Sequence, residues 1–157
     1  MNDPTNPAVR AEPAEDQQPP RGERVFSFPI RVYWEDTDAG GIVFYANDLK
    51  FFERARTEWL RSKGVGQQAL REQTGGMFVV SETGIKYHRP ARLDDELLVT
   101  ACLQASGRAS LTIAQQAWRK TAGQPELLCE GTIRIGWVGA ASMKPERIPS
   151  TVVEALT

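Results

Sequence analysis

One stretch of helical periodicity stands in a chain that otherwise reads as strands. From Asn47 to about Lys63, Leu49, Phe52, Ala55, Trp59 and Leu60 recur at spacings of three and four. Lys50, Glu53, Arg54, Glu58 and Arg61 occupy the other face, with Arg54 and Glu58 at an i,i+4 spacing. Asn47 is placed to cap the start, and Gly64 to stop the end. A helix with one apolar stripe must bury it, so the rest of the chain has to supply the cover.

That cover reads as a sheet. Phe28, Ile30, Val32 and Trp34 alternate with Ser27, Arg31 and Tyr33, which is the period of a half-buried strand, and Pro29 assigns it to an edge or a strand start. After a looser segment from Val65 to Gly76 come four strand-like runs: Met77 to Tyr87, Glu96 to Ala105, Ala109 to Arg119 and Glu126 to Val138. The connections Ser106-Gly107-Arg108 and Thr121 to Pro125 are short, so these strands are antiparallel neighbours. The expected architecture is α+β, one five-stranded sheet with one main helix. Such a sheet leaves an outer face or an edge uncovered, so at least a dimer is expected, either a homodimer or a homotetramer.

At 157 residues the chain suits one domain, placed at 25–150, with a disordered tail over 1–24 and a C-terminal tail over 151–157. The first segment holds almost no large apolar side chain before Val25 and cannot offset the entropy of ordering. Nineteen Lys and Arg against twenty Asp and Glu leave a net charge of −1, which gives no general attraction to nucleic acid or anionic lipid. No run approaches the roughly 18 apolar residues of a membrane span, and no signal-type apolar stretch opens the chain, so a cytoplasmic location is expected. Cys102 and Cys129 have no CxxC spacing and read as small buried residues; with His88 the only histidine, no metal and no cofactor is expected.

The densest chemistry lies between the first strand and the helix, in Tyr33-Trp34-Glu35-Asp36-Thr37-Asp38-Ala39-Gly40-Gly41-Ile42-Val43-Phe44-Tyr45-Ala46-Asn47. A helix start presents unpaired N–H groups and the positive end of the dipole, which can polarise a carbonyl or hold an oxyanion. A carboxylate on the preceding loop can face the same carbon. The pairing suits a thioester, whose leaving thiol has a pKa of about 8.5 by analogy with cysteine, so departure needs little help from an acid. On pattern alone, Asp36 and Asp38 before Gly-Gly are equally ordinary turn residues, and the glycines lack the Lys-Ser or Lys-Thr of a phosphate loop.

The stretch from Arg31 to Leu60, RVYWEDTDAGGIVFYANDLKFFERARTEWL, resembles the signature of the acyl-CoA thioesterases associated with the Tol-Pal envelope system, within the wider 4-hydroxybenzoyl-CoA thioesterase family. YHRPARLDDELLV from Tyr87 to Val99 and MKPERIP from Met143 to Pro149 extend the likeness over residues 28 to 150. The resemblance implies a hotdog fold, with the sheet wrapped around the helix and active sites at a dimer interface. It puts the catalytic carboxylate on Asp38, as base or nucleophile, and the carbonyl-polarising N–H on Tyr45, with Asp36 a structural residue of the turn. Many members of the Tol-Pal branch carry His where this chain has Tyr45; a backbone role survives that replacement and an imidazole role does not. The resemblance also points to Arg108 and Ser110 for the phosphates of CoA, while Phe44 and Phe78 are candidates to line an acyl pocket.

Hydrolysis of an acyl-CoA to free acid and CoA is the leading expectation. An alternative is a scaffold binding acyl groups or an acyl carrier protein, for which Arg89, Arg92 and Arg108 are the basic candidates. A hotdog dehydratase needs a histidine with a carboxylate; His88 lies past the helix, which disfavours that reading.

Overall fold

The computed structural model describes residues 18–22 and 24–157, so the tail expected over 1–24 lies largely outside the described residues. The elements in chain order are β1 (Phe26–Arg31), α1 (Asn47–Ser62), α2 (Gln67–Thr74), β2 (Gly76–Tyr87), β3 (Glu96–Ser106), β4 (Ser110–Arg119), β5 (Glu126–Gly139) and α3 (Ser150–Leu156). The five strands form one antiparallel sheet in the order β1-β3-β4-β5-β2. Pro29 is tolerated because β1 is an outer strand.

Strand alternation sends Leu97, Val99 and Ala101 of β3, Leu111, Ile113 and Ala117 of β4, and Ile133, Ile135 and Trp137 of β5 into one core. Helix α1 lies against β1, β3 and β4 and closes that core with Phe51, Phe52, Ala55, Trp59 and Leu60. This is the hotdog arrangement. A polar bridge runs through it: Arg56 donates to Gln115 Oε1 at 2.9 Å, and Gln115 Nε2 donates to the carbonyls of Phe52 (3.0 Å) and Thr100 (3.1 Å). Gln115 thereby ties the helix to two strands.

Several local expectations change. The first strand stops at Arg31 and Trp34 enters a single 3-10 turn, Trp34–Asp36, with its side chain 79% exposed. The cause is Asp36, whose Oδ2 accepts the Tyr33 N–H at 2.8 Å while Thr37 Oγ1 donates to Trp34 O at 2.8 Å, closing the chain on itself. Leu49 is exposed and Asp48 takes its place in the buried stripe. Glu58 pairs with Arg61 rather than Arg54. Gly64 does end α1, at φ +78.

The loose segment after α1 contains α2, which shows only Leu70 to the core and so offers no apolar stripe to read. The expected C-terminal tail is instead α3, anchored by Val152 and Leu156, a four-residue spacing that puts both on the core side. Cys129 is buried as expected, whereas Cys102 is partly exposed on the outer face of the sheet. There it lines a groove with Thr100, Ala114 and Gln116. The edge of β2 runs twelve residues, is interrupted by a bulge between Val80 and Glu82, and shows Val80 to solvent.

Candidate active site

The loop between β1 and α1 is a small hairpin. Thr37 bridges Val43, the Asp38 N–H donates to Ile42 O at 2.9 Å, and Gly41 donates back to Asp38 O at 3.0 Å. The turn needs Gly41, at φ +75, where a side chain would strain the backbone. The two aspartates part company here. Asp36 is buried and spends its carboxylate on the Tyr33 N–H; its carbonyl accepts the Phe44 N–H (3.1 Å) and Asn47 Nδ2 (2.9 Å). Asn47 therefore braces the loop and does not cap the helix, whose preceding residue is Ala46. Asp38 is exposed; its Oδ1 accepts the Gly40 N–H at 2.8 Å, which fixes the carboxylate while Oδ2 has no hydrogen-bond partner among the described residues.

Beyond the hairpin, α1 begins. The Asn47 N–H donates to Phe44 O at 2.8 Å and the Leu49 N–H to Ala46 O at 3.2 Å. Among the described residues the N–H groups of Tyr45 and Ala46 have no acceptor, as a helix start dictates. Phe44 and Tyr45 are exposed, their rings 4.8 Å apart. The loop is docked on the body of the protein at two points. Val43 N–H donates to Ala91 O at 2.8 Å, and the Tyr87 hydroxyl donates to the Tyr45 carbonyl at 2.9 Å.

Beneath the loop, Asp48 is 7% exposed and burial pushes its carboxyl pKa up to about 6, partly offset by the Cys129 thiol that faces it. Burial and that carboxylate in turn push the Cys129 thiol upward, so it stays protonated and inert. His88 sits just past β2 with Nε2 3.2 Å from Glu130 Oε2, a surface pairing without a second ligand-type neighbour recorded among the described residues.

The remaining candidates lie elsewhere. Arg108 and Ser110 are on the β3–β4 hairpin, where Ser110 pairs with Gly136 of β5. Tyr87 pairs with Cys129, near the opposite end of the same sheet. Seven steps along β5, from Cys129 to Gly136, separate those ends, about 23 Å. Phe78, edge-on to Trp137 at 4.9 Å, belongs to the Arg108 end, in a crevice of about 170 Å³ shared with Arg56 and Leu60; Phe44 belongs to the Asp38 end. A single protomer thus holds Asp38, Phe44 and Tyr45 together and keeps Arg108, Ser110 and Phe78 apart from them. Arg147 joins Arg108 in a second cavity with Ser106 and Ser150, positioned by the bond from Ile148 N–H to Arg108 O at 2.8 Å. It lies in the MKPERIP segment, and only the fold reveals its neighbour. Arg89 pairs with Glu126 at 3.6 Å, far from Arg108, so the three basic candidates for a carrier protein form no single patch.

Residues 40–126 match the thioesterase superfamily model, more than half of the chain. The chain belongs to the thioesterase superfamily. Over 130 residues, this thioesterase-superfamily chain is 42% identical to the acyl-CoA thioesterase YbgC of Haemophilus influenzae, covering 83% of the chain and 93% of that protein. It is 40% identical to the acyl-CoA thioester hydrolase YbgC of Escherichia coli over 82% of the chain and 93% of that protein. Its fold is shared with a variant of 4-hydroxybenzoyl-CoA thioesterase solved with 4-hydroxybenzoyl-CoA, at a TM-score of 0.80 and 17% identity, covering 85% of the chain and 99% of that structure. No helix among the described residues of this superfamily member is long and apolar enough to cross a membrane.

Proposed function

We propose that the protein hydrolyses acyl-CoA thioesters to a free carboxylic acid and CoA, with Asp38 as the acting carboxylate. The observation that carries this is the pairing of an exposed Asp38, held through Oδ1 by Gly40, with the unpaired amides of Tyr45 and Ala46 on the same hairpin-to-helix turn. Relatives of 42% and 40% identity that are acyl-CoA thioester hydrolases support the substrate class.

As a base, Asp38 takes a proton from water, the hydroxide adds to the thioester carbon, and the oxyanion accepts hydrogen bonds from the Tyr45 and Ala46 amides. As a nucleophile, it adds to the same carbon itself, and water then cleaves the acyl-carboxylate anhydride. In both routes the C–S bond breaks to release CoA thiolate, which is protonated from solvent. The Tyr45 side chain is not required, only its N–H.

The site is completed by a second copy. If two β2 edges pair antiparallel, the Gly76 end of one strand lies beside the Tyr87 end of the other. That brings the partner's Phe78 and Arg108 toward Asp38, Phe44 and Tyr45, joining the two halves that one protomer keeps apart. Phe44 and Phe78 then flank the acyl group, and Arg108, Ser110 and Arg147 receive the CoA phosphates. The thiols Cys102 and Cys129 are unpaired, which fits the reducing cytoplasm where CoA thioesters are handled.

Asp38→Asn tests the reading. Purified variant and parent are compared on acetyl-, octanoyl- and benzoyl-CoA, following thiol release. Turnover should fall by about 10²–10⁴-fold with an unchanged melting temperature. Retention of most of the activity removes Asp38 from the chemistry.

A further inference from the structure

Among the described residues the Tyr45 and Ala46 amides are open ahead of α1, and each belongs to a peptide unit whose carbonyl is already engaged. The Tyr45 N–H shares its unit with the Phe44 carbonyl, held by the Asn47 N–H at 2.8 Å. The Ala46 N–H shares its unit with the Tyr45 carbonyl, held by the Tyr87 hydroxyl at 2.9 Å. The first unit is braced by main chain alone. The second depends on a side chain that arrives from another element, 42 residues along the sequence.

The helix does not claim that carbonyl for itself. Its first turn bonds the Leu49 N–H to Ala46 O, which leaves the Tyr45 carbonyl to Tyr87. Tyr87 is the last residue of β2 and is fixed in register opposite Cys129. Its ring stands edge-on to that of Tyr45, with centroids 6.2 Å apart and an interplanar angle of 84°. A donor carried by the end of a sheet strand therefore sets the orientation of a peptide plane at the mouth of a helix. A hydrogen bond to the carbonyl of an amide also polarises the whole unit and strengthens its N–H as a donor, by roughly 10–30% per bond in condensed phase.

We infer that Tyr87 is a positioning residue for thioester cleavage, holding and polarising the Tyr45–Ala46 peptide so that the Ala46 N–H meets the oxyanion alongside the Tyr45 N–H. This rests on the proposed hydrolysis at Asp38 and adds to it the residue that aims the second oxyanion donor, the Ala46 amide. Tyr87 does not touch the reacting atoms. Burial, together with Asp48, Cys129 and Tyr45 nearby, pushes its phenol upward, so the hydroxyl stays protonated and remains a donor wherever the enzyme works. Because the second amide acts on charge that develops in the transition state, its weakening should fall on kcat and leave substrate binding alone.

Tyr87→Phe keeps the ring and its contact with Tyr45 and removes only the hydroxyl. In the full-length protein, with whichever of acetyl-, octanoyl- and benzoyl-CoA the parent hydrolyses fastest, kcat should fall about five- to ten-fold while KM stays within about two-fold. The Ala46 amide proton resonance should move upfield in the same variant, a signature that a merely structural role would not produce. Asp38→Asn is run beside it. An inactive Asp38→Asn with parental kcat and an unmoved Ala46 resonance in Tyr87→Phe overturns this inference alone. A kcat loss that merely follows a lowered melting temperature, with no Ala46 shift, overturns it too. An Asp38→Asn that turns over like the parent removes the hydrolytic reading, and this inference with it.

Discussion

Asp48 shows how a single buried carboxyl can be read from both sides. As the second residue of α1 it sits where the helix dipole favours negative charge, yet it is 7% exposed and its pKa is raised from 3.8 to about 6 by burial. In the unfolded chain the group titrates near its ordinary value, so between about pH 4 and pH 6 the folded state holds more protons than the unfolded one. Stability then declines as pH rises through that window, the reverse of a paired carboxylate, and above it the buried charge costs up to about 3 kcal/mol. Asp48→Asn should therefore be stabilised relative to the parent at pH 8, by about 1–3 kcal/mol, with the gain vanishing near pH 4; urea unfolding of both proteins at the two pH values measures it. A gain independent of pH would show that the carboxyl does not change its charge on folding. The position was legible in principle: Asp48, Phe51, Phe52, Ala55, Arg56, Trp59 and Leu60 keep the helical spacing better than a stripe begun at Leu49. Hydrophobicity misdirects the eye there, because Leu49 is apolar and Asp48 is not. Asp36 and Asp38 were not separable by residue type, since only the hydrogen bond from Tyr33 tells which carboxylate is consumed by the turn. The link between Tyr87 and Tyr45 had no local signal at all.

At the scale of elements, periodicity is what the sequence reveals well. The strands β2 to β5 and the helix α1 match their expected spans to within a residue or two, because each has a face that alternates or recurs, whereas α2 and α3 are too short or too polar to show a stripe. Strand order and close approach are set by contacts across the sheet and stay hidden. Gly131 of β5 is an example: a Cβ there would collide with the Gly84 carbonyl of β2 and come within 3.1 Å of Ile85 Cα, both main chain and neither able to swing aside. Gly84, one strand away, has open space where its Cβ would be. Gly131→Ala should cost about 1–3 kcal/mol and loosen β2 from β5, whereas Gly84→Ala should be close to neutral. Urea midpoints give the first quantity. Amide exchange along β2 gives the second, and equal protection of β2 in the parent and in Gly131→Ala would mean the strands have room that the backbone geometry denies. Since β2 carries Tyr87 at one end and Phe78 near the other, its seating on β5 governs both halves of the proposed site.

For the whole molecule, the decisive fact is that one protomer divides the candidate residues between the two ends of its sheet. Asp38 and the α1 amides lie by Tyr87, while Arg108, Ser110, Arg147 and Phe78 gather near the start of β4. The long exposed edge of β2 offers the way to join them, because an unpaired edge is a template for another strand, and a two-fold axis would superpose opposite ends of two copies. Each proposed site would then draw its carboxylate from one chain and its phosphate grip from the other. That division makes a quantitative prediction for mixed assemblies. Asp38→Asn leaves both sites without their carboxylate, and Arg108→Glu leaves both with a repelled phosphate, so at low substrate each variant alone should be nearly inactive. When the two chains are co-expressed and assemble at random, half of the dimers are mixed, and in each of these one site receives both defects and the other receives neither. Activity at low substrate should therefore recover to about a quarter of the parent's, and pure mixed dimers isolated through two different tags should reach about half. If Asp38 and Arg108 serve the same substrate from within one chain, every site in the mixture keeps exactly one defect, and no recovery occurs.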